Sequence, residues 1–356
     1  MYKEKALEKF NILKTKDNIT ILAIESSCDD TSVAVVRNGR EILSNVISSQ
    51  IDIHTKFGGV VPEVASRNHL LAISNVTKEA LKNANLTLAD IDAIAVTYGA
   101  GLVGSLMVGV NYAKSLAYSL NLPLIAVNHI KAHVSANYLE SKDLVPPYLA
   151  LVVSGGHTAL VKIEDYDKHI VLGTTHDDAI GEAFDKVAKV LGLGYPGGPI
   201  VDKLAKLGEN NIQFIKPNYS KRDTNFSYSG IKTSVINYIH KKTQKNEEII
   251  KEDVCASFQT QAVGELVDKT INTALRYKLK NVALAGGVAC NSYLRESMKS
   301  ACDKHKLTLY YPSPILCTDN GAMVGAEAYY LIKAGKGLAD IDLVPDCTIN
   351  LKYSNK

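Results

Sequence analysis

The sequence predicts a duplicated α/β protein made of two similar lobes, and three observations predict it. Two apolar runs around a polar turn, ILAIESSCDDTSVAVV (Ile21 to Val36), return as YLALVVSGGHTALVKI (Tyr148 to Ile163). After each hairpin come a third strand-like run, a helix, a strand, a second helix, a short strand and a last helix, so the order β-β-β-α-β-α-β-α is given twice. A step from strand through glycine to helix also recurs, as YGAG in one half and AGGVACN in the other.

The elements follow in order. Residues before about Ile19, MYKEKALEKFNILKTKDN, mix acids with bases and read as a polar, solvated extension outside the fold. ITILAIE and TSVAVV are rich in β-branched residues, as strands are. A helix is predicted from Pro62, with Val64, Leu70, Leu71, Ile73, Val76 and Leu81 as its apolar face. The strand IDAIAVTYGAG leads into the helix GSLMVGVNYAKSLAYSL, whose apolar residues surround much of its circumference and predict burial. Proline in VPP (Val145 to Pro147) marks the hinge between halves. The second half carries an insertion absent from the first, which includes YPGGP, SKRDTNFSYSG and a basic helix ending in HKKTQK. The expected organisation is an extension at 1–18, a first lobe at 19–145, and a second lobe at 146–356 with the insertion at about 192–246.

Composition narrows the class. At 356 residues and 46% hydrophobic, the chain suits two cores, since single cores seldom grow past roughly 250–300 residues. A net charge of +3 from 40 basic and 37 acidic residues gives no global field that demands nucleic acid. The six cysteines form no C-x-x-C pair, which fits reduced thiols rather than disulfides or a zinc finger. The N-terminus lacks the apolar core of a signal peptide, and no stretch approaches the ~18 apolar residues of a membrane span. A soluble, cytoplasmic protein without membrane partners is expected.

Candidate chemistry gathers at the ends of elements. In NHIKAHVSANYL, the i,i+4 spacing stacks His129 and His133 on one helical face, where two imidazoles can share a metal. Asp319 in CTDNGAMVG holds the equivalent strand-to-helix junction of the second copy. If the halves face each other, the three converge in the cleft between lobes, with coordination positions left open for substrate; the donor types admit iron, zinc or manganese. A metallopeptidase is disfavoured, because H-E-x-x-H requires a glutamate where Ile130 stands. The glycine turns SGGH (Ser154 to His157) and AGGVACN (Ala285 to Asn291) can bring backbone N–H groups to phosphate oxygens. Asp185 and Asp202 flank the turn at Gly197 and Gly198 and could take ribose hydroxyls. In the turn ESSCDDT, the acids Glu25, Asp29 and Asp30 read either as turn formers or as a general base or Mg²⁺ ligand. Lys221, Arg222, Lys241, Lys242 and Lys245 form a basic cluster in the insertion, suited to phosphate contacts.

ESSCDDTSVAVV, SSQIDIHTKFGGVVPEVASRNHL, NHIKAH, LVVSGGHT, GEAFDKVAKVLGLGYPGGP, FSYSGIKT, AGGVACN and CTDNGAM occur in order over about Ile21 to Gly335. Together they resemble the tRNA N6-adenosine threonylcarbamoyltransferase family, in its bacterial TsaD branch. The resemblance implies an actin-like, RNase-H-like duplicated fold with the active site in the interdomain cleft. It implies transfer of the threonylcarbamoyl group from threonylcarbamoyl-AMP to the exocyclic amine of the adenosine 3′ of the anticodon in ANN-decoding tRNAs, with release of AMP. It further implies His129, His133 and Asp319 as ligands of a divalent metal, iron with zinc as the alternative. Val152, Val153, Ser154, Gly155, Gly156, Asp185, Gly198, Asp202 and Asn291 match its substrate-binding positions. Asp30 departs from the pattern, since many members have glutamate there. The implied partners are tRNA, a TsaB-like paralogue that dimerises through the first half, and a TsaE-like ATPase. The rival readings are an actin-like kinase or ATPase, which would bind Mg-ATP or ADP through acids alone, and an inactive scaffold subunit.

Overall fold

The computed structural model describes residues 2–214 and 223–348. Lys221 and Arg222 of the predicted basic cluster lie outside the described residues. The chain runs α1 (Tyr2–Leu13), β1 (Thr20–Glu25), β2 (Thr31–Arg37), β3 (Glu41–Ser48), α2 (Ile51–Thr55), α3 (Pro62–Asn83), β4 (Ala93–Gly99), α4 (Val103–Leu120), β5 (Leu124–Asn128), α5 (His129–Ser135) and α6 (Asn137–Glu140). It continues with β6 (Tyr148–Val153), β7 (Thr158–Asp165), β8 (Lys168–Thr174), α7 (Ile180–Val190), α8 (Gly197–Ala205), α9 (Ser229–Gln244) and α10 (Lys251–Arg276). β9 (Asn281–Ala285), α11 (Ser292–Lys304), β10 (Thr308–Tyr310), α12 (Pro314–Cys317), α13 (Gly321–Lys333) and β11 (Leu338–Ala339) complete it. Among the described residues, no helix is long and apolar enough to cross a membrane.

The two sheets repeat one topology. The first has the order β11-β5-β4-β1-β2-β3 and the second β10-β9-β6-β7-β8, so removing the short β11 leaves the same connectivity twice. In each, an antiparallel three-stranded meander joins parallel strands reached through helices.

Burial on both faces explains why ITILAIE reads as an unbroken apolar run. Leu22 and Ile24 of β1 pack with α3 and α4 residues such as Ile73 and Val110, whereas Ile21 and Ala23 pack with Met323 and Val324 of α13. Covered on both sides, the central strands have no polar face to alternate with.

The chain divides into two compact units. The first comprises Met1–Pro146, Asp165–His169 and Pro312–Lys356, and the second Pro147–Glu164 and Ile170–Tyr311. The sequence predicts a second lobe over 146–356, whereas the segment from Pro312 clusters with the first unit. The return of the C-terminal segment has a packing cause: α13 lies on β1 and β2, and a Cβ on Gly321 would stand 2.6 Å from the Ala34 nitrogen and 2.9 Å from the Ala23 oxygen. Only glycine lets the first turn of α13 touch the sheet backbone so closely.

Three further expectations are corrected. The N-terminal segment is a docked helix, because Tyr2, Ala6, Phe10 and Leu13 recur at helical spacing and enter the core clusters of the first unit. The Tyr2 hydroxyl donates to the Leu122 carbonyl at 2.9 Å. On α3, the buried stripe is Ala65, His69, Ile73, Val76, Thr77 and Ala80, while Leu70 and Leu71 are 65% and 77% exposed. On α4, Val103, Met107 and Tyr118 are exposed, since its sheet-facing stripe of Ser105, Leu106, Gly109, Val110, Ala113 and Ala117 already satisfies the packing.

Replacing Phe10 with alanine should destabilise the protein by about 3 kcal/mol or more, the usual cost of truncating a buried phenylalanine. Denaturant unfolding measures it, and an unchanged midpoint would return the segment to the status of a tail.

Candidate active site

Three parallel strands of the first unit carry its polar groups at their C-terminal ends, where ligands bind in open α/β sheets. β1 pairs with β4 and β4 with β5, which brings the end of β1, Thr97 and Asn128 to one edge. The Asn128 side chain accepts from the backbone N–H groups of Ile130 and Lys131 and starts α5 with His129 as its first residue. Asn320 caps α13 by accepting from Met323, and Ser32 accepts from the Gly321 N–H at 2.8 Å, which fixes the preceding Asp319.

His129, His133 and Asp319 come together. His133 Nε2 lies 3.1 Å from Asp319 Oδ1, His129 Nε2 lies 3.5 Å from the same oxygen, and the two Nε2 atoms are 3.1 Å apart. Donors about 2.1 Å from a shared ion at tetrahedral or octahedral angles stand roughly 3.0–3.4 Å apart, so the spacing suits one metal. All three belong to the first unit, so the expectation of imidazoles from one lobe and a carboxylate from the other is corrected. The cause is the return of α13 described above.

Glu25, noted in sequence only as a turn acid, stands behind this group. Its side chain is fully buried. Oε1 accepts from the Ser27 N–H at 2.6 Å, and Oε2 accepts from the Thr97 hydroxyl at 2.6 Å and faces His129 Nδ1 at 3.1 Å. A carboxylate on Nδ1 holds the proton there and leaves Nε2 as a lone-pair donor. Two carboxylates beside two neutral imidazoles leave a charge of about −2 in a buried place, which a divalent cation closes. With no ion, a proton takes that part: burial opposes charge on His129, but Asp319 and then Glu25 outweigh it and hold its pKa up at about 9.

The acidic turn lies on the same edge. Burial, reinforced by the charges of Asp319 and Asp29, raises Asp30 to about 6 against the opposing Ser49 hydrogen bond. Its Oδ1 is buried without a hydrogen-bond partner. Burial and then the Asp29 carboxylate push the Cys28 thiol far up, so Cys28 is a thiol and not a thiolate nucleophile.

The predicted substrate residues all lie in the second unit. Val152 and Val153 end β6, and the turn beyond closes as the Ser154 N–H donates to the His157 carbonyl at 2.8 Å and Ser154 Oγ accepts from the His157 N–H at 3.1 Å. Gly155 and Gly156 have open space beside them. At Gly286, φ is +90° and a Cβ would stand 2.5 Å from the Val153 oxygen, so glycine permits the turn after β9 to lie against the end of β6. Asp185 accepts from the Gly197 N–H at 2.7 Å, beside Gly198 at the start of α8; burial raises its pKa, against the pull of the Gly197 and Gly198 N–H groups. Asp202 accepts from the N–H and hydroxyl of Ser292. Asn291 caps α11 by accepting from Leu294 and donates to Gln259 Oε1 at 2.8 Å. Gln259 is a residue that sequence reasoning missed, since it sits within a long helix with no turn or glycine to mark it. Of the described basic residues, Lys242 and Lys245 pair with Glu247 at 2.7 and 3.8 Å, and Lys241 is exposed.

The raised pKa of His129 gives a pH signature. In metal-free protein, its charged form contributes stability that is fully present below the ordinary value of 6.5 and lost as pH rises through about 9. Metal must displace that proton, so affinity should rise over the same interval. Denaturant unfolding of chelated protein and metal titration between these limits test both slopes, and His129→Gln should flatten the first. Glu25→Gln, which would place a donor against Nδ1 and move the proton to Nε2, should weaken metal binding by about 10- to 100-fold.

Comparison with known proteins bears on the family and the fold. The family model of TsaD, tRNA N6-adenosine threonylcarbamoyltransferase, matches residues 41–326. The Clostridium novyi (strain NT) protein of that name is 59% identical over 342 residues, 95% of this chain and 99% of its own length. That of Clostridium botulinum (strain Hall) is 57% identical over 343 residues, 96% of this chain and all of its own. Among solved structures, full-length HypF in its phosphate- and nucleotide-bound form matches with a TM-score of 0.60 at 15% identity, covering 90% of this chain and 47% of its own. Component A of the Acidaminococcus fermentans (R)-2-hydroxyglutaryl-CoA dehydratase matches with a TM-score of 0.52 at 16% identity, covering 89% of this chain and 98% of its own. These two show the duplicated actin-like fold alone. By its family model and these relatives, the chain belongs to the tRNA N6-adenosine threonylcarbamoyltransferase family.

Proposed function

We propose that the two units divide the transfer, the second holding the adenylate donor and the first carrying a metal and the proton acceptor. The donor, threonylcarbamoyl-AMP, is a mixed anhydride with an activated carbonyl. The acceptor is the exocyclic amine of the adenosine 3′ of the anticodon in ANN-decoding tRNAs, a weak nucleophile because its lone pair is delocalised into the ring. Transfer forms the N6–carbon bond, breaks the bond from that carbon to the phosphate oxygen, moves one N6 proton to a base and releases AMP.

The observation that carries the reading is the His129–His133–Asp319 group backed by the buried Glu25. Held there, a divalent ion would supply a Lewis acid that polarises and orients the threonylcarbamoyl carbonyl. Iron is the ion the family resemblance implies, and zinc suits the same donors. Glu25 keeps the His129 ring in the metal-binding tautomer. Asp30 takes the N6 proton, for a carboxyl raised to about 6 is a better base than an ordinary aspartate and is still largely ionised near neutrality. Asp29 beside it favours that ionised acid as a proton acceptor. In the second unit, Gly155, Gly156 and the turn at Gly286 offer backbone N–H groups to the phosphate, with Val152, Val153, Ser154, Asp185, Gly198, Asp202 and Asn291 around the rest of the donor.

Lys241, Lys242 and Lys245 are the described residues that suit tRNA phosphates, and action on tRNA fits the cytoplasm. The exposed Leu70 and Leu71 on α3 and Val103 and Met107 on α4 suit docking of a TsaB-like paralogue, with a TsaE-like ATPase as the third component.

Threonylcarbamoyl-AMP and unmodified tRNA, supplied with and without those partners, should yield the modified nucleoside by mass spectrometry. Asp319→Ala should lose the metal and slow transfer on the order of 100-fold. Full activity in a metal-stripped His129→Ala, Asp319→Ala double variant would refute the metal's part. The wild-type rate should rise as pH increases through about 6, where Asp30 ionises, and Asp30→Asn should lack that limb.

A further inference from the structure

Asp29 and Asp30 sit between two residues gripped by one ring. His69 of α3 is fully buried, with Nε2 3.0 Å from the Cys28 carbonyl oxygen and Nδ1 2.7 Å from the Thr31 hydroxyl. A carbonyl oxygen only accepts, so Nε2 carries the proton, Nδ1 is a lone pair, and the Thr31 hydroxyl donates to it. Both nitrogens are engaged with the ring neutral, and burial lowers its pKa in the same sense.

The position is costly for packing alone. Ala65, Ile73, Val76 and Ala80 make the rest of this stripe largely apolar, and an imidazole within it must find two polar partners or lose its hydration uncompensated. It finds them on the residues immediately before and after the acidic pair. The upstream part of the turn is fixed separately, by the Ser27 N–H on Glu25 and the Leu102 N–H on the Ser27 carbonyl at 2.7 Å. One side chain thus ties both flanks of the pair. The helix itself is anchored nearby, as Gln50 Nε2 donates to the Ala65 carbonyl.

We infer that His69 is a positioning residue for the transfer, one that sets the direction of Asp29 and Asp30 by bridging the Cys28 carbonyl and the Thr31 hydroxyl. This rests on the reading of the acidic turn as the proton acceptor. Glutamine's amide can set an N–H toward the Cys28 carbonyl and its oxygen toward the Thr31 hydroxyl, whereas phenylalanine fills the volume and offers neither.

The test measures steady-state transfer, metal content and folding for His69→Phe, His69→Gln and Thr31→Val. His69→Phe and Thr31→Val should lower kcat about 10- to 100-fold, the scale of a misplaced reacting group. KM for donor and tRNA should stay within about twofold, since binding is not what is lost. Metal stoichiometry should be unchanged, and His69→Gln should recover most of the rate. A folded His69→Phe at the wild-type kcat, or a His69→Gln as slow as His69→Phe, would overturn the inference. If His69→Phe does not fold, Thr31→Val decides alone, and a wild-type kcat there overturns it. Asp29→Asn and Asp30→Asn at wild-type rates would instead sink the proton-acceptor reading, while loss in those two with no loss in His69→Phe would sink only the role of His69.

Discussion

A carboxylate with no access to water must be compensated, and that demand organises the first unit. Glu25 ends the central strand β1, which lies between the antiparallel β2 and the parallel β4. A buried ionised carboxylate without partners is far too costly to persist. Its compensation draws one group from each direction: Ser27 from its own turn, Thr97 from β4 and His129 from α5. Two of these partners lie 72 and 104 residues away in sequence, so satisfying this one side chain aligns three elements. Desolvation works against the charge, yet the His129 contact keeps the Glu25 pKa below its usual value. An ionised Glu25 then holds the imidazole from behind and leaves its other nitrogen to face Asp319.

The second demand is that Asp319 reach the first unit from the far end of the chain. It arrives at the head of a helix that carries Met323, Val324, Ala328, Leu331 and Ile332 into the core against β1, β4 and β5. The burial of these five residues drives α13 onto the sheet, and the close seat of Gly321 sets where along the sheet the helix begins. The placement of Asp319 is therefore a by-product of ordinary apolar packing, made accurate by a glycine contact and the Asn320 cap. Behind the same helix, Lys333 donates to the Lys14 and Lys16 carbonyls, so the end of α1 is tied to the element that presents the carboxylate.

Much of this was legible in the sequence, and the limits have physical causes. The duplicated strand order and the start of α3 follow from periodicity and β-branched runs, the stacking of His129 on His133 from i,i+4 spacing, and the interest of Asp319 from its junction in the second copy. What the pattern could not give was which apolar residues face inward. Leu70 and Leu71 fit a helical stripe as well as Ile73 and Val76 do, and only the position of β2 decides between the faces. The α1 stripe has four apolar residues set among lysines and glutamates, too few to separate a docked helix from a solvated one without knowing that a surface awaits it. Glu25 and His69 escaped for a related reason. Their partners are distant in sequence, and a local reading sees one as a turn acid and the other as a histidine in a helix.

In the second unit, the side chains matched to substrate already have backbone duties. Asp185 receives the Gly197 N–H at the start of α8, Asp202 receives Ser292, and Asn291 begins α11. A carboxylate has about four acceptor positions and an amide two donors, so each can serve a helix terminus and still meet a hydroxyl or a ring nitrogen. Serving the terminus first removes rotamer freedom that would otherwise be lost on binding. It also directs α8 and α11 by the same groups proposed to meet the ligand, so a substitution at Asp202 disturbs a helix start whatever else it does. Loss of activity at such a residue therefore separates from loss of structure only when the replacement preserves the cap, as asparagine does for Asp202 and alanine does not.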